Sequence, residues 1–406
     1  VDQKRPGADL PLLSVSQTRG VLRRDELSDR PPRAESLDHY KTCQPGDIVF
    51  NKMSVRAGAM GEAREAGYVT YHYEVMRPRP SVDPRFVVYL MKSGWFTGEM
   101  IRRERGIAAG DESGAVRTTE VPFRVLKTIH VPLIPPSEQR AIADFLDRET
   151  AQIDAFIAKN EQLITLLTER RASVVAQAVT KGLDCRAEMQ SSEVDWFGQV
   201  PAHWSVSRLS RWFTVTLGKM LDAAKFETTD GEPLPYVRAA NIRPGQLDLD
   251  SANQMPFSLV EQRRYSLRAG DLLVVEGGSI GVNVALEDDL PGWGFQKTVN
   301  RVRPRHDASA AFLGLQLDVM RACGGIEMIA NVSTILHFTA EKLERTLVAM
   351  PPAAEQHAIV AHVRLSTKPI DEAIGLATEA IQLARERRAA LISAAVTGKV
   401  DVGVSA

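Results

Sequence analysis

The 406-residue sequence predicts an α+β fold: two pseudo-symmetric mixed domains joined by two long helices that pair antiparallel as a coiled coil. Three observations carry this. Val131–Gly182 recurs without a gap as Val348–Lys399, sharing Glu138-Gln139 with Glu355-Gln356, Ala141-Ile142 with Ala358-Ile359, and Glu169–Ala172 with Glu386–Ala389. Within each copy the apolar residues fall on a seven-residue spacing, which is the seam of a paired helix. Outside the copies, "GDIVFNKM" from Gly46 and "GDLLVVEGGSIG" from Gly270 both read as a Gly-Asp turn, a buried strand and a loop. Two copies are too few for a solenoid and imply a pseudo-twofold, which turns one long helix against the other.

The elements follow in order. Residues 1–130 form the first mixed domain, mildly basic, in which Val75-x-Arg77-x-Arg79-Pro80 alternates as a half-buried strand and matches Val299-x-Arg301-x-Arg303-Pro304. Only 10 residues precede Pro11, whereas about 40 separate Trp196 from the equivalent Pro235, so about 30 residues of the first domain's plan are expected to be missing. Residues 131–195 are the central repeat. Its helix carries Leu146, Ile153, Phe156, Leu163, Leu167 and Val174 on the seam, with Asn160 interrupting it. Residues 196–347 form the second mixed domain, opened by "DWFGQVPAHW", whose tryptophans read as packing. Residues 348–406 close the chain, with Ile370, Ala373, Ala377, Ala380, Ala384, Leu391 and Ala394 at the matching seam positions. Small residues would then face bulky ones. Pro369 predicts a short helix from about Ala354, a break near Thr367, and then the long helix, because proline removes a hydrogen bond and clashes with the preceding turn. A helix of about 30 residues spans roughly 45 Å, long for a compact domain.

Composition narrows the function. The formal net charge of −1 does not by itself announce a nucleic-acid binder. Cys43, Cys185 and Cys323 stand apart with no CxxC or Cys/His spacing, so neither a zinc site nor a disulfide framework is indicated and a reducing cytoplasm fits. No apolar run reaches membrane-spanning length. Catalytic patterns fail in turn. There is no GxxxxGK[ST] phosphate loop, no Asn/Asp-Pro-Pro-aromatic motif and no HExxH, and although Gly277–Gly281 has the GxSxG spacing, nothing around Ser279 marks it as a nucleophile elbow. His203, His337, His357 and His362 have no metal-like spacing. The catalytic and metal sets are therefore predicted to be empty.

The residues then carry a resemblance. "VPLIPPSEQRAIADFLDRETAQID" with "ERRASVVAQAVTKG", their second copy, "WFGQVPAHW", and "GDLLVVEGGSIG" followed by "GWGFQKTVNRVRP" resemble the specificity subunits of type I restriction-modification systems. The resemblance covers nearly the whole chain, and its most specific part is the duplicated PP-x-EQ-x-AI motif. It implies a non-catalytic subunit reading a split double-stranded DNA target, one target recognition domain per half-site. The helices would act as ruler and as docking surface for two modification subunits and for restriction, or translocase, subunits. S-adenosylmethionine, ATP and Mg are expected on those partners, with no cofactor in this chain. A scaffold that binds proteins instead of DNA is the alternative, and an enzyme with a divergent site at Gly277–Gly281 is a third reading.

Arginine and asparagine can each bond a base edge through two atoms, guanine for Arg and adenine for Asn, so they lead the candidate contacts. The first domain has about eleven extra residues within "RRERGIAAGDESGAVR", which offers Arg102, Arg103 and Arg105 on a basic insertion. Arg117-Thr118 and Ser333-Thr334 occupy equivalent places before the repeat helices. Arg77, Arg79, Arg301 and Arg303 sit on the matched strands, and Arg238, Asn241 and Arg243 lie in "VRAANIRPG".

Overall fold

The computed structural model describes residues 10–27, 40–103, 123–132, 134–221, 231–329 and 337–402. They fall into two compact units, one of residues 1–162 with 377–406 and one of residues 163–376. Each long helix, Pro136–Lys181 and Ala353–Val396, contributes residues to both units.

In the first unit the Gly-Asp strand, Ile48–Asn51, pairs antiparallel with Met60–Glu62 on one side and Tyr73–Met76 on the other. Helices Pro84–Lys92 and Gly94–Arg103 follow. Phe86, Leu90, Phe96 and Met100 pack with Ile142 and Leu146 of one long helix and Ile392 and Val396 of the other. The second unit repeats this arrangement. Leu272–Val275 lies between Asn283–Ala285 and Val299–Pro304, and Phe213–Leu217 extends the sheet beyond the latter. Helix Ala310–Ala322 covers it, and Phe312 and Leu317 share a core with Val179, Ile359 and Val363 of the long helices.

The repeated Gln has one task in both units. Gln139 Oε1 accepts from the backbone N–H of Asp83 at 2.9 Å, and its Nε2 donates to the Ile134 carbonyl at 2.8 Å. Gln356 Oε1 accepts from the Ser309 N–H at 2.7 Å, and its Nε2 donates to the Pro351 carbonyl at 2.7 Å. Asp83 and Ser309 are the N-caps of the helices that follow the sheets. The glutamines thus tie each cap to the start of a long helix, and they satisfy backbone groups that burial would otherwise leave unpaired.

The long helices pair antiparallel within each unit. In the first, Arg388 holds Asp154 at 2.9 Å and Arg385 holds Glu161 at 3.1 Å, so the partner number falls as the other rises. In the second, Arg171 holds Asp371 at 2.7 Å. The seam differs from the sequence expectation by one residue at two of its positions. Leu146 and Ile153 are buried and Asn160, Leu167 and Val174 half-buried, but Phe156 and Leu163 are 47% and 44% exposed. Ile157 and Ile164 take their places, giving a spacing that alternates four and three. On the other helix Ile370 and Ala377 are buried and Ala373, Ala380, Ala384 and Leu391 half-buried. Ile381 and Ile392 are buried beside them and Ile374 half-buried, so this seam alternates isoleucine with alanine and is not mostly small.

The break expected at Pro369 does not occur. The helix runs from Ala353 to Val396 with Pro369 inside it. Proline removes the bond to the carbonyl of residue 365, and Leu365 is 76% exposed, on the face where water can take that carbonyl. Thr367 and Ile370 stay buried, so packing on the opposite face holds the turn. No helix among the described residues is long and apolar enough to cross a membrane.

Candidate nucleic-acid interface

The strand register decides what the matched arginines do. Ile48 lies opposite Met76 and Leu272 opposite Val302, so the counterpart of Arg77 is Arg303, not Arg301. Arg77 donates from Nε and Nη2 to the two oxygens of Asp47, each at 2.8 Å. Arg303 does the same to Asp271, each at 2.7 Å. Both carboxylates are buried at the Gly-Asp turn, and each also accepts a backbone N–H, from Gln44 and Arg268 respectively. Gly46 and Gly270, at φ +85° and +82°, allow that turn, since a side chain is strained there. These arginines fix the hairpin and do not present a free fork to a base.

Arg301 is also structural. It is 6% exposed, donating from Nη1 to the carbonyls of Arg264 and Ser266 and from Nη2 to Thr216 Oγ1. Burial, with Arg303 adding repulsion, lowers its pKa to about 10. Arg102 and Arg103 both close on Glu99, at 2.7 Å for Arg102. Asn241 is buried within a turn, accepting from the Arg238 N–H at 3.0 Å and donating to Ser251 Oγ at 3.1 Å. Arg79 and Arg243 are exposed, and their side chains make no hydrogen bond or ion pair with a described residue. Arg105, Arg117, Thr118, Ser333 and Thr334 lie outside the described residues.

What the second unit does bring together is a rim of loops. Lys297 N–H donates to the Lys219 carbonyl at 2.9 Å, Gln296 N–H to Val237 at 2.9 Å, and Ala239 N–H to Thr298 Oγ1 at 3.1 Å. Glu276 N–H donates to Thr298 at 2.9 Å, and Phe338 N–H to Glu276 at 2.8 Å. Segments distant in sequence are thereby stitched edge to edge. Lys297, His337, Gly278 and Ser279 are exposed on them. Arg238 Nε and Glu276 Oε2 are buried without a partner among the described residues. Burial pushes the Glu276 carboxyl up, while His337 and Lys297 pull it back. Such a rim supplies cations for phosphates together with donors and acceptors for base edges. Sequence reading missed Lys297 and His337. Lys297 stands in "FQKTVNRVRP", whose arginines the sheet consumes, and His337 is distant in sequence, so only the fold brings the two to one rim.

Among the described residues no group of three His, Cys, Asp or Glu side chains is placed to hold a metal.

Residues 201–366 match the family described as the Type I restriction modification DNA specificity domain. The Escherichia coli type I restriction enzyme EcoBI specificity subunit is 25% identical over 266 residues, 63% of this chain and 55% of that protein. The EcoKI specificity subunit of Escherichia coli strain K12 is 24% identical over 296 residues, 71% of this chain and 60% of that protein. The chain thus spans less than two thirds of the length of these relatives. A chain solved in work on complex assembly and conformational transition of the type I R-M system superposes with a TM-score of 0.70 at 15% identity, covering 97% of this chain and 93% of that one. This last likeness is one of fold.

Proposed function

From the match of residues 201–366 to the type I restriction modification DNA specificity domain family, we propose that the chain is the DNA-reading subunit of such a complex. Each unit reads one half of a split double-stranded target. The observation that carries this is the duplicated frame: the same turn lock, Asp47 with Arg77 and Asp271 with Arg303, and the same cap tie, Gln139 and Gln356, occur once in each unit. Two copies of one frame bearing different loops suit two different half-sites. In the second unit the reading surface is the rim that includes Arg238, Lys297 and His337.

The paired helices set the spacing and receive two modification subunits together with restriction subunits, to which the exposed Phe156, Leu163 and Leu166 of one helix and Leu376 and Leu383 of the other offer apolar contacts. Those partners supply the methyl donor and the ATP-driven work. The test replaces residues 200–345 with the second domain of another family member, co-expresses modification subunits, and sequences methylated adenines. One half of the methylated target should change and the other stay. A change in both halves, or no methylation linked to this chain, would end the reading.

A further inference from the structure

The duplication gives receiving groups in the second unit a counterpart in the first, and there one such set has no partner among the described residues. In the second unit, strand Leu347–Met350 pairs antiparallel with Ser205–Arg208, Val206 lying opposite Ala349 and Ser207 opposite Val348. Trp204, just before that strand, is 2% exposed. Its ring meets Phe312 edge-on with centroids 6.0 Å apart, and its Nε1 donates to Glu355 Oε1 at 3.1 Å. His203 Nε2 lies 2.7 Å from the other oxygen of Glu355.

The first unit repeats the receiving half of this arrangement. Phe86 stands where Phe312 does, each three residues after its helix cap. Glu138 is the counterpart of Glu355, and His130–Pro132 of Leu347–Ala349. The approach is repeated too, since Ile129 N–H donates to Leu126 as Thr346 N–H donates to Leu343. Yet no described residue pairs with His130–Pro132. Val131 is 46% exposed where Val348 is fully buried. A cavity of about 240 Å³ opens there, walled by Phe86, Phe123, Leu126, Ile129, Val131 and Pro132. The Glu138 carboxylate makes no hydrogen bond or ion pair with a described residue.

Pro132 fits the same plan. Leu209 N–H donates to the Thr346 carbonyl at 2.8 Å, and with the register this directs the N–H groups of Val348 and Met350 to the neighbouring strand and that of Ala349 away from it. Proline, which has no N–H to give, therefore stands at a position of this edge whose N–H the neighbouring strand does not use.

We propose that the first unit is an acceptor for an extended segment with the chemistry of Pro201–Arg208. Its tryptophan ring enters the cavity beside Phe86, its indole N–H is taken by Glu138, and the four residues that follow add a strand to His130–Pro132. Main-chain bonds supply the pairing and the ring supplies the selectivity, as in other strand additions.

The test titrates the synthetic peptide Gln199–Trp212 into the full chain. Saturable binding is expected, with amide exchange at Val131 slowed at least tenfold. The same peptide carrying Trp204→Ala should bind at least tenfold more weakly. Glu138→Ala in the protein should weaken binding to a similar degree, and Glu355→Ala should not, which separates this site from exchange with the strand already present in the second unit. No binding, equal binding of the alanine peptide, or loss on Glu355→Ala instead of Glu138→Ala would overturn the proposal. Self-association of the chain that the peptide fails to dissolve would assign the edge to a second copy and would overturn it as well.

Discussion

Arg303 reaches both oxygens of Asp271 from Nε and Nη2, and Arg77 reaches both oxygens of Asp47 in the same way. Each pair locks a Gly-Asp turn to the strand, Tyr73–Met76 or Val299–Pro304, that pairs with the one following the turn, but the two are not equally buried. The Arg303 side chain is 28% exposed and that of Arg77 48%, while both carboxylates are almost fully covered.

Removing either carboxylate strands an arginine, and the better buried arginine suffers more. Asp271→Ala should cost about 3 kcal/mol of unfolding free energy, in the range for breaking a buried pair from one side. Asp47→Ala should cost less, because water can take over the exposed Arg77. Urea unfolding of the two variants gives the order, and a reversed order would contradict the burial argument.

The seam yields a paired comparison. Ile153 is 8% exposed and Phe156 is 47% exposed, although both are apolar and three residues apart on one helix. Ile153→Asp buries an unpaired charge and should cost several kcal/mol, roughly 3–5. Phe156→Asp, on the outer face, should fall within about 0.5 kcal/mol of the parent. Equal losses would show that the helix is rotated relative to the seam described above.

These two residues also show where sequence legibility ended. The seven-residue spacing was plain, and Leu146, Ile153 and Asn160 lie on the seam. Between them the chain offers adjacent apolar pairs, Phe156 with Ile157 and Leu163 with Ile164. A period of 3.5 admits either member, and only contact with the partner helix chooses. The arginines failed for a similar reason. Sequence matching aligned Arg77 with Arg301, but strand register pairs Arg77 with Arg303, and that two-residue shift exchanges a turn lock for a buried cage. Pro369 was read from local chemistry alone, and packing of Thr367 and Ile370 overrode it.

Asp318 makes stability pH-dependent. It receives Asn283 Nδ2 at 3.0 Å, and burial pushes its carboxyl up to about 6 despite Arg321 nearby. A folded pKa above the ordinary carboxylate value means that the folded state holds the proton more tightly. The stability this contributes is complete below about pH 4 and is lost as the pH rises through about 6. Asp318→Asn should therefore remove a decline in melting temperature between those values and stabilise the chain at pH 7. An unchanged pH profile would place the carboxyl in water.

The glutamine ties predict a cost shared by both units. Gln356→Leu leaves the Ser309 N–H and the Pro351 carbonyl without their partner, and Gln139→Leu does the same to Asp83 and Ile134. Each unpaired group costs about 1–3 kcal/mol, so each variant should lose roughly 2–6 kcal/mol in chemical unfolding. A neutral Gln356→Leu would mean that the cap finds another acceptor.

The last prediction treats the paired helices as a ruler and rests on the proposed DNA reading. An insertion that lengthens them must enter both at facing positions, and repeat-equivalent positions such as Leu167 and Ala384 do not face each other in an antiparallel pair. Arg171 faces Asp371, so one turn earlier Leu167 faces the neighbourhood of Gly375. One heptad added after Leu167 and one after Gly375 keeps the seam in phase and lengthens the pair by roughly 10 Å. Along B-DNA that is about three base pairs, which also turns the second half-site by about 100°. A four-residue insertion adds about 6 Å, nearer two base pairs, while rotating the helix face by slightly more than a full turn. Variants that still direct methylation should therefore show a changed spacer between unchanged half-sites, and most other insertions should abolish it. Methylome sequencing of every functional variant decides the matter. The original spacer in all of them would show that the helices do not set the distance, even if each unit still reads its half.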